Sequence, residues 1–237
     1  MVPIVLATLA VLCLVLAALA LRRVGPGYRV ARLLASAPHV ELAEASELAE
    51  GGAARYVRVG GRISSDEEFP DDHDRPLVYR RRRLEVADQR GRWQTVTQDS
   101  EAVPFGVELR GRFLALDSAA LGVGLVVIPR EALGKAQDLG AELAAGHPPE
   151  AASRLVIEQV SAVEQATAVG VPVLDAAGRP ILSAGLGRPL ILTTLAIPDA
   201  MRLLAAGRRR LVLAAGGLIL GALILAVAAL VALIAIG

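Results

Sequence analysis

Four consecutive arginines, Arg80, Arg81, Arg82 and Arg83, follow shortly after an acidic run that holds Asp66, Glu67, Glu68, Asp71, Asp72, His73 and Asp74. Guanidinium groups in this density suit carboxylates, phosphates or an anionic lipid surface. The acidic run offers the oxygen ligands that a hard cation such as Ca²⁺ wants. It lacks the central glycine and terminal glutamate of an EF-hand loop, so it reads as a solvated acidic loop. The three histidines, His39, His73 and His147, stand far apart and in no metal-ligand spacing. The single cysteine, Cys13, lies in an apolar block, which removes disulfides and any thiolate metal site from the middle of the chain. No G-x-S-x-G elbow or P-loop occurs, and Gly122-Val123-Gly124 lacks the third glycine of a dinucleotide fingerprint. The sequence therefore names no catalytic residue, no metal ligand and no cofactor.

The elements around these residues read as mostly β. Residues 77–86 form a strand, and alternation sends Arg80 and Arg82 to one face, Arg81 and Arg83 to the other. Two charged faces cannot both be core. Either this strand lies at a sheet edge with one face toward a membrane, where each arginine adds about 1 kcal/mol, or the arginines pair with the acidic loop just upstream. Asp88-Gln89-Arg90-Gly91 is a turn, and residues 93–97 return from it as a hairpin. Further strands are expected at 55–63, 103–109, 111–116, 125–128, 155–162, 166–174, 180–183 and 190–195, with Asp175-Ala176-Ala177-Gly178 as a second hairpin turn. Pro129 opens an expected helix over 130–145. Ahead of the strands, Glu41, Glu44, Glu47 and Glu50 alternate with Leu42, Ala45 and Ala49, which predicts a short helix with an acidic face, stopped at Gly51-Gly52. Short strands at close spacing predict a small barrel or sandwich with one or two inserted helices.

Apolar residues make up 54% of the 237 residues, and the mean hydropathy is +0.52. The excess sits in residues 1–21 and 211–237, neither of which carries a charge. An apolar helix of about 20 residues crosses a hydrocarbon core of about 30 Å, so both blocks read as transmembrane helices. The first has no basic residue before it, which reads as an uncleaved anchor rather than a signal peptide. The expected fold class is a membrane protein with two terminal transmembrane helices and an intervening β-rich α+β domain. Its parts are a span (1–21), a juxtamembrane connector broken from that span at Pro26-Gly27 (22–54), the β-rich domain (55–197), a juxtamembrane helix (198–210) and a second span (211–237). Arg22 and Arg23 follow the first block, and Arg202, Arg208, Arg209 and Arg210 precede the second. The positive-inside rule then places the domain in the cytoplasm and both termini outside. Gly217 and Gly221 form a G-x-x-x-G pattern suited to close helix packing and self-association. A net charge of +1 gives no field favouring nucleic acid.

The order of parts is similar to a known family. Val78-Tyr79-Arg80, Gly91-Arg92-Trp93, Val103-Pro104-Phe105, Val169-Gly170-Val171 and Leu174-Asp175, followed by a helix running into an apolar end, resemble the GIDE domain. This is also called the BAM (beside a membrane) domain, the membrane module of a mitochondrially anchored ubiquitin ligase, and its prokaryotic relatives carry the module alone. The resemblance implies a membrane-bound module concerned with organelle organisation. In the eukaryotic ligase a zinc-holding RING finger follows the second span. One cysteine and three scattered histidines cannot build one.

The expected function is therefore a membrane-anchored, non-enzymatic interaction or regulatory module. Its expected partners are the bilayer and a membrane or cytoplasmic protein, with self-association through the last helix and no nucleic acid. The alternative is membership of the E3 ubiquitin transferase family by homology, or a subunit of a membrane enzyme complex. Contacts to anionic lipid or to a partner are expected at Arg22, Arg23, Arg80, Arg81, Arg82, Arg83, Arg208, Arg209 and Arg210.

Overall fold

A computed structural model describes residues 2–205 and 209–234; at some helical positions, Arg22, Arg23, Arg209 and Arg210 among them, it describes the backbone path alone. The chain forms two compact units, Leu34–Ala200 and the pair of end segments Met1–Leu33 with Met201–Gly237.

The larger unit is built on a closed barrel. Helix α2 (Leu42–Glu50) precedes strand β1 (Val57–Ser64). A first insertion carries β2 (Phe69–Pro70), β3 (Pro76–Ala87) and β4 (Trp93–Ala102). The hairpin β5 (Gly106–Leu109) and β6 (Arg112–Leu116) follows. A second insertion holds β7 (Leu125–Val126), β8 (Arg130–Lys135), the one-turn helix α3 (Ala141–Ala144) and β9 (Ala152–Ser161). The chain returns as β10 (Gln165–Leu174), β11 (Pro180–Ser183) and β12 (Ile191–Thr193).

Strand β1 pairs with β5, β5 with β6, β6 with β11, β11 with β10, and β10 pairs back to β1 from Val57↔Gly170 to Arg62↔Gln165. Only β6–β11 is parallel. This is the connectivity of a five-stranded Greek-key barrel of the OB type. Strands β12 and β7 extend the sheet from the second edge of β10. Alternation fills the interior: Val57, Val59 and Ile63 of β1, Val107, Leu114, Leu116, Ala166, Ala168 and Leu182 are buried in one core cluster. Each large aliphatic among them contributes about 1.5–3 kcal/mol by leaving water.

The acidic-faced helix forms as its sequence predicts, but it is not part of a connector. Leu42 and Ala45 belong to the core cluster, so the folded domain starts near Leu34 rather than at residue 55. Tyr56 is anchored beside it. Its hydroxyl donates to the Pro189 carbonyl at 2.7 Å, and burial pushes its pKa up to about 12 against the opposing charge of Arg188.

The two insertions form a second, antiparallel sheet in the order β4-β3-β9-β8, with β2 on the start of β3. Here the expected 130–145 helix is corrected. Residues Arg130–Lys135 form strand β8, paired from Arg130↔Ile157 to Lys135↔Ala152, and helical structure is confined to a 3-10 turn at Ala136–Asp138 and to α3. Gly134 and Gly140 in its interior weaken a helix over this segment. It takes the free edge of β9 instead.

The end segments correct the expected fold class. Among the described residues one helix is long and apolar enough to cross a membrane, with its span at Leu213–Val231 inside α5 (Arg209–Ile234). Among the residues whose side chains are described, helix α1 (Val2–Ser36) has a shorter apolar stretch, Thr8–Leu21, of 14 residues or about 21 Å at 1.5 Å per residue. It is not broken at Pro26-Gly27 but continues through Arg22, Arg23, Arg29 and Arg32. Two terminal transmembrane helices are thus not shown among the described residues, and the expected fold class is corrected to one candidate span beside a β-rich domain. Helix α4 (Ile197–Ala205) stands in place of the expected 198–210 helix; residues 206–208, Arg208 included, lie outside the described residues, as do 235–237. Within Thr8–Leu21 the buried residues are Ala10 and Ala17, and within Leu213–Val231 they are Ala215 and Ala222. A spacing of seven keeps each pair on one helix face.

Three tight turns share one design, Asp-x-x-Gly-Arg at 88–92 and 175–179 and Asp-x-x-Asp-Arg at 71–75. In each, the Asp Oδ1 accepts from two backbone N–H groups, and the fourth residue has positive φ: 57° at Asp74, 70° at Gly91, 74° at Gly178. The backbone N–H of Arg75, Arg92 and Arg179 is the largest cause holding Asp71, Asp88 and Asp175 below the usual carboxylate range. Their stabilisation is therefore complete above the unfolded value of about 3.9 and is lost as pH falls through the lowered folded values. The melting temperature should fall between pH 5 and pH 2.5 as these groups take up protons. An Asp88→Asn, Asp175→Asn double variant, which keeps the acceptors but loses the charge, should show a shallower fall in calorimetric melts; an unchanged slope refutes the assignment. At Gly124 a Cβ would fall inside the contact radius of the Leu190 carbonyl oxygen. Gly124→Ala should cost more than about 3 kcal/mol in urea unfolding, as overpacking against backbone that cannot yield.

Candidate interaction site

The arginine run occupies the middle of β3, and β3 lies inside its sheet, between β4 and β9, not at an edge. Alternation places the four side chains as expected, two on each face. On one face Arg80 meets Glu101 at 2.6 Å and lies over the Phe69 ring at 5.3 Å, while Arg82 faces Asp72 at 4.0 Å. The neighbouring Arg130 reaches Asp71 at 3.7 Å, so the acidic loop lies across this face. On the other face Arg81 Nε donates to Glu158 at 2.8 Å, and its guanidinium also meets the Gly122 carbonyl. Glu85, buried, takes Arg154 at 2.6 Å and lies 2.6 Å from Arg83 Nε, which is misaligned for a hydrogen bond. Arg154 in turn stacks on Trp93 at 4.5 Å. Both alternatives for the arginines are thereby narrowed. One partner comes from the acidic loop and three from strands, and each of the four charges has a carboxylate beside it.

The barrel itself carries the more open surface. Glu108 and Phe113 stand opposite each other on β5 and β6. Their neighbours in sequence, Val107 and Leu114, point into the core, so both side chains face outward, and Phe113 is 51% exposed. With Ser64 at the end of β1, Ser65 and Asp66 just after it, Pro104 before β5, and the Asp175–Arg179 turn after β10, they line a groove of about 600 Å³. Its walls are rigid for local reasons. Ser65 Oγ lies 2.6 Å from the Pro104 carbonyl, which ties the two ends of the first insertion together. The opposite wall is the self-bonded turn, in which Arg179 Nε donates to Asp175 Oδ2 at 3.0 Å. Asp175 is thus neutralised by Arg179, while Asp66 and Glu108 have no ion-pair partner among the described residues. Strands two and three of the barrel and the two loops beside them are where such barrels hold their ligands. An exposed aromatic between free carboxylates supplies a stacking face and hydrogen-bond acceptors. No nucleophile–base pair is present in this groove, and the described residues contain no group of three potential metal ligands.

No protein-family model matches the chain, and comparison with curated proteins and with solved structures yields no match.

The other expected contact residues fall elsewhere. Arg22, Arg23, Arg209 and Arg210 lie on helices whose backbone is described without their side chains, and Arg208 lies outside the described residues. Gly217 is exposed and Gly221 half-buried, and a Cβ at either would meet nothing within 4 Å. The groove was not read from the sequence. One signal for it exists: alternation in 111–116 puts Phe113 on the face opposite Leu114 and Leu116, where an aromatic is unexpected.

The pairing on β3 predicts an asymmetry. Glu85→Gln leaves two guanidinium groups against a neutral, largely buried site and should destabilise by about 2–3 kcal/mol, below the full value for a buried pair because both arginines are partly solvated. Glu101→Gln, at a half-exposed position, should change stability by less than about 1 kcal/mol. Chemical denaturation of both variants measures the difference, and equal effects would refute the reading of Glu85 as the buried centre of the network.

Proposed function

We propose that the chain is a membrane-anchored, non-enzymatic interaction module of the GIDE/BAM type, held to the bilayer by α5 and presenting its barrel groove to a partner. The observation that carries this is α5. Its 19-residue stretch Leu213–Val231 contains no charge and exposes Leu213, Leu220, Leu223, Ile224, Val227 and Leu230. In water such a surface would drive aggregation, whereas hydrocarbon accommodates it. Arg202, Arg208, Arg209 and Arg210 precede it without an intervening acid. The positive-inside rule then puts the barrel on the cytoplasmic side, with arginines near anionic headgroups. Tethering raises the concentration of the groove toward membrane neighbours.

Alkaline carbonate extraction of membranes tests the anchor. The full chain should stay in the pellet. Leu220→Arg with Ile224→Arg, each unfavourable by about 2.5–3.5 kcal/mol at mid-membrane, should move it to the supernatant. Release of the unaltered chain by carbonate would overturn the proposal. A reporter inserted at Ala119 should report the cytoplasm, and a periplasmic signal would overturn the orientation.

A further inference from the structure

We infer that the barrel groove holds a positively charged protein segment, with an arginine stacked on the exposed ring of Phe113 between Asp66 and Glu108. The inference rests on the reading of this groove as the surface that meets a partner, and it names that partner's chemistry.

The ring of Phe113 is held in place by the fold itself. A Cβ at Gly106 would come within 2.6 Å of Phe113 Cζ and 2.7 Å of Cε2, so the ring occupies the space that this glycine leaves over β5. The rest of the side chain stays open, at 51% exposure. Glu108 stands directly opposite Phe113 on β5. From there the ring reaches toward Gly106, two residues after Pro104. Ser65 Oγ lies 2.6 Å from the Pro104 carbonyl, and Asp66, the next residue, lines this end of the groove. The ring thus runs from one carboxylate toward the other.

Charge then selects the occupant. Asp175 in the groove wall is matched by Arg179 at 2.9 Å. Asp66 and Glu108 have no ion-pair partner among the described residues. Arg62 stands opposite Glu108 on β1, but it lines the neighbouring cleft rather than this one. The phosphates of a nucleic acid would meet both carboxylates without compensation. A guanidinium is attracted to both, and its plane stacks on an aromatic ring. Carboxylates alone would accept any cation; the ring between them favours arginine. The same arrangement recurs within the protein. Arg80 lies over Phe69 at 5.3 Å and pairs with Glu101 at 2.6 Å. Arg154 lies over Trp93 at 4.5 Å and pairs with Glu85 at 2.6 Å. Phe113 has the ring and the acids, and among the described residues no arginine of this chain stacks on it.

The test uses the purified full chain in uncharged detergent micelles and a short fluorescent peptide carrying arginines spaced by glycine and serine. Its affinity, read by anisotropy, should exceed that of the same peptide with glutamates for arginines by at least about tenfold. Phe113→Leu keeps an apolar cover over Gly106 but removes the aromatic face, and it should weaken binding at least about threefold. Asp66→Asn with Glu108→Gln should weaken it about three- to tenfold. Glu142→Gln, at an exposed acid outside the groove, should leave it unchanged. Should Phe113→Leu fail to fold, Trp93→Phe with Phe113→Trp moves the chain's one tryptophan into the groove, and its emission should change as the arginine peptide is added. Equal binding of the two peptides, equal losses from Glu142→Gln and from the groove acids, a groove tryptophan that does not respond, or tighter binding of a single-stranded oligonucleotide would each overturn the inference. The anchor is judged apart from this: a chain that binds the arginine peptide yet is released by carbonate supports the cationic partner and refutes the anchor alone.

Discussion

Strand β10 is hydrogen-bonded along both edges, and the rest of the domain is arranged around that fact. One edge runs against β1 for six residue pairs, from Arg62↔Gln165 to Val57↔Gly170. The opposite edge is shared, β12 taking Thr167 to Val169 and β11 taking Val171 to Leu174. Because β11 continues to β6, and β6 through β5 back to β1, this double pairing closes the barrel. Closure removes free edges from the core. It also dictates small residues where strands cross: a Cβ at Gly170 would come within 2.6 Å of the Ser183 carbonyl oxygen, and one at Gly61 within 2.6 Å of the Glu108 carbonyl oxygen.

Once the barrel is closed, the insertions have to form a sheet of their own. Strands β3, β4, β8 and β9 carry charges at positions where a two-layer sheet would carry valine and leucine. Their order is kept by cross-strand ion pairs on both faces, with Glu85 and Arg81 the least solvated members. Exposed pairs of this kind contribute little singly. Their greater effect is on register: a slip by one residue moves every arginine to the other face and away from its acid.

The open groove and the charge cluster are therefore separate. The residues richest in charge are matched within the fold, and the open groove is marked by Phe113, Asp66 and Glu108, which are unremarkable in sequence. A fold of this connectivity hosts many functions, so the groove and the apolar helix α5, rather than the barrel as such, support the proposed binding module.

Local patterns were legible without the structure. Alternation located most of the strands close to where they form, Asp88 and Asp175 marked hairpin turns, Gly51-Gly52 ended a helix, and an uncharged run marked the apolar length of α5. These follow from periodicity and backbone preference over a few residues. What needed the tertiary structure was anything decided by a distant partner. Residues 130–135 became a strand because β9 had an edge to offer, and α2 became core because the barrel had an open end to fill. The N-terminal helix is not broken at Pro26-Gly27 but runs on through four arginines. Whether an arginine is free or neutralised depends on carboxylates such as Glu158, 77 residues away in sequence from Arg81. Short-range sequence carries no record of that separation, since only chain closure brings the two together.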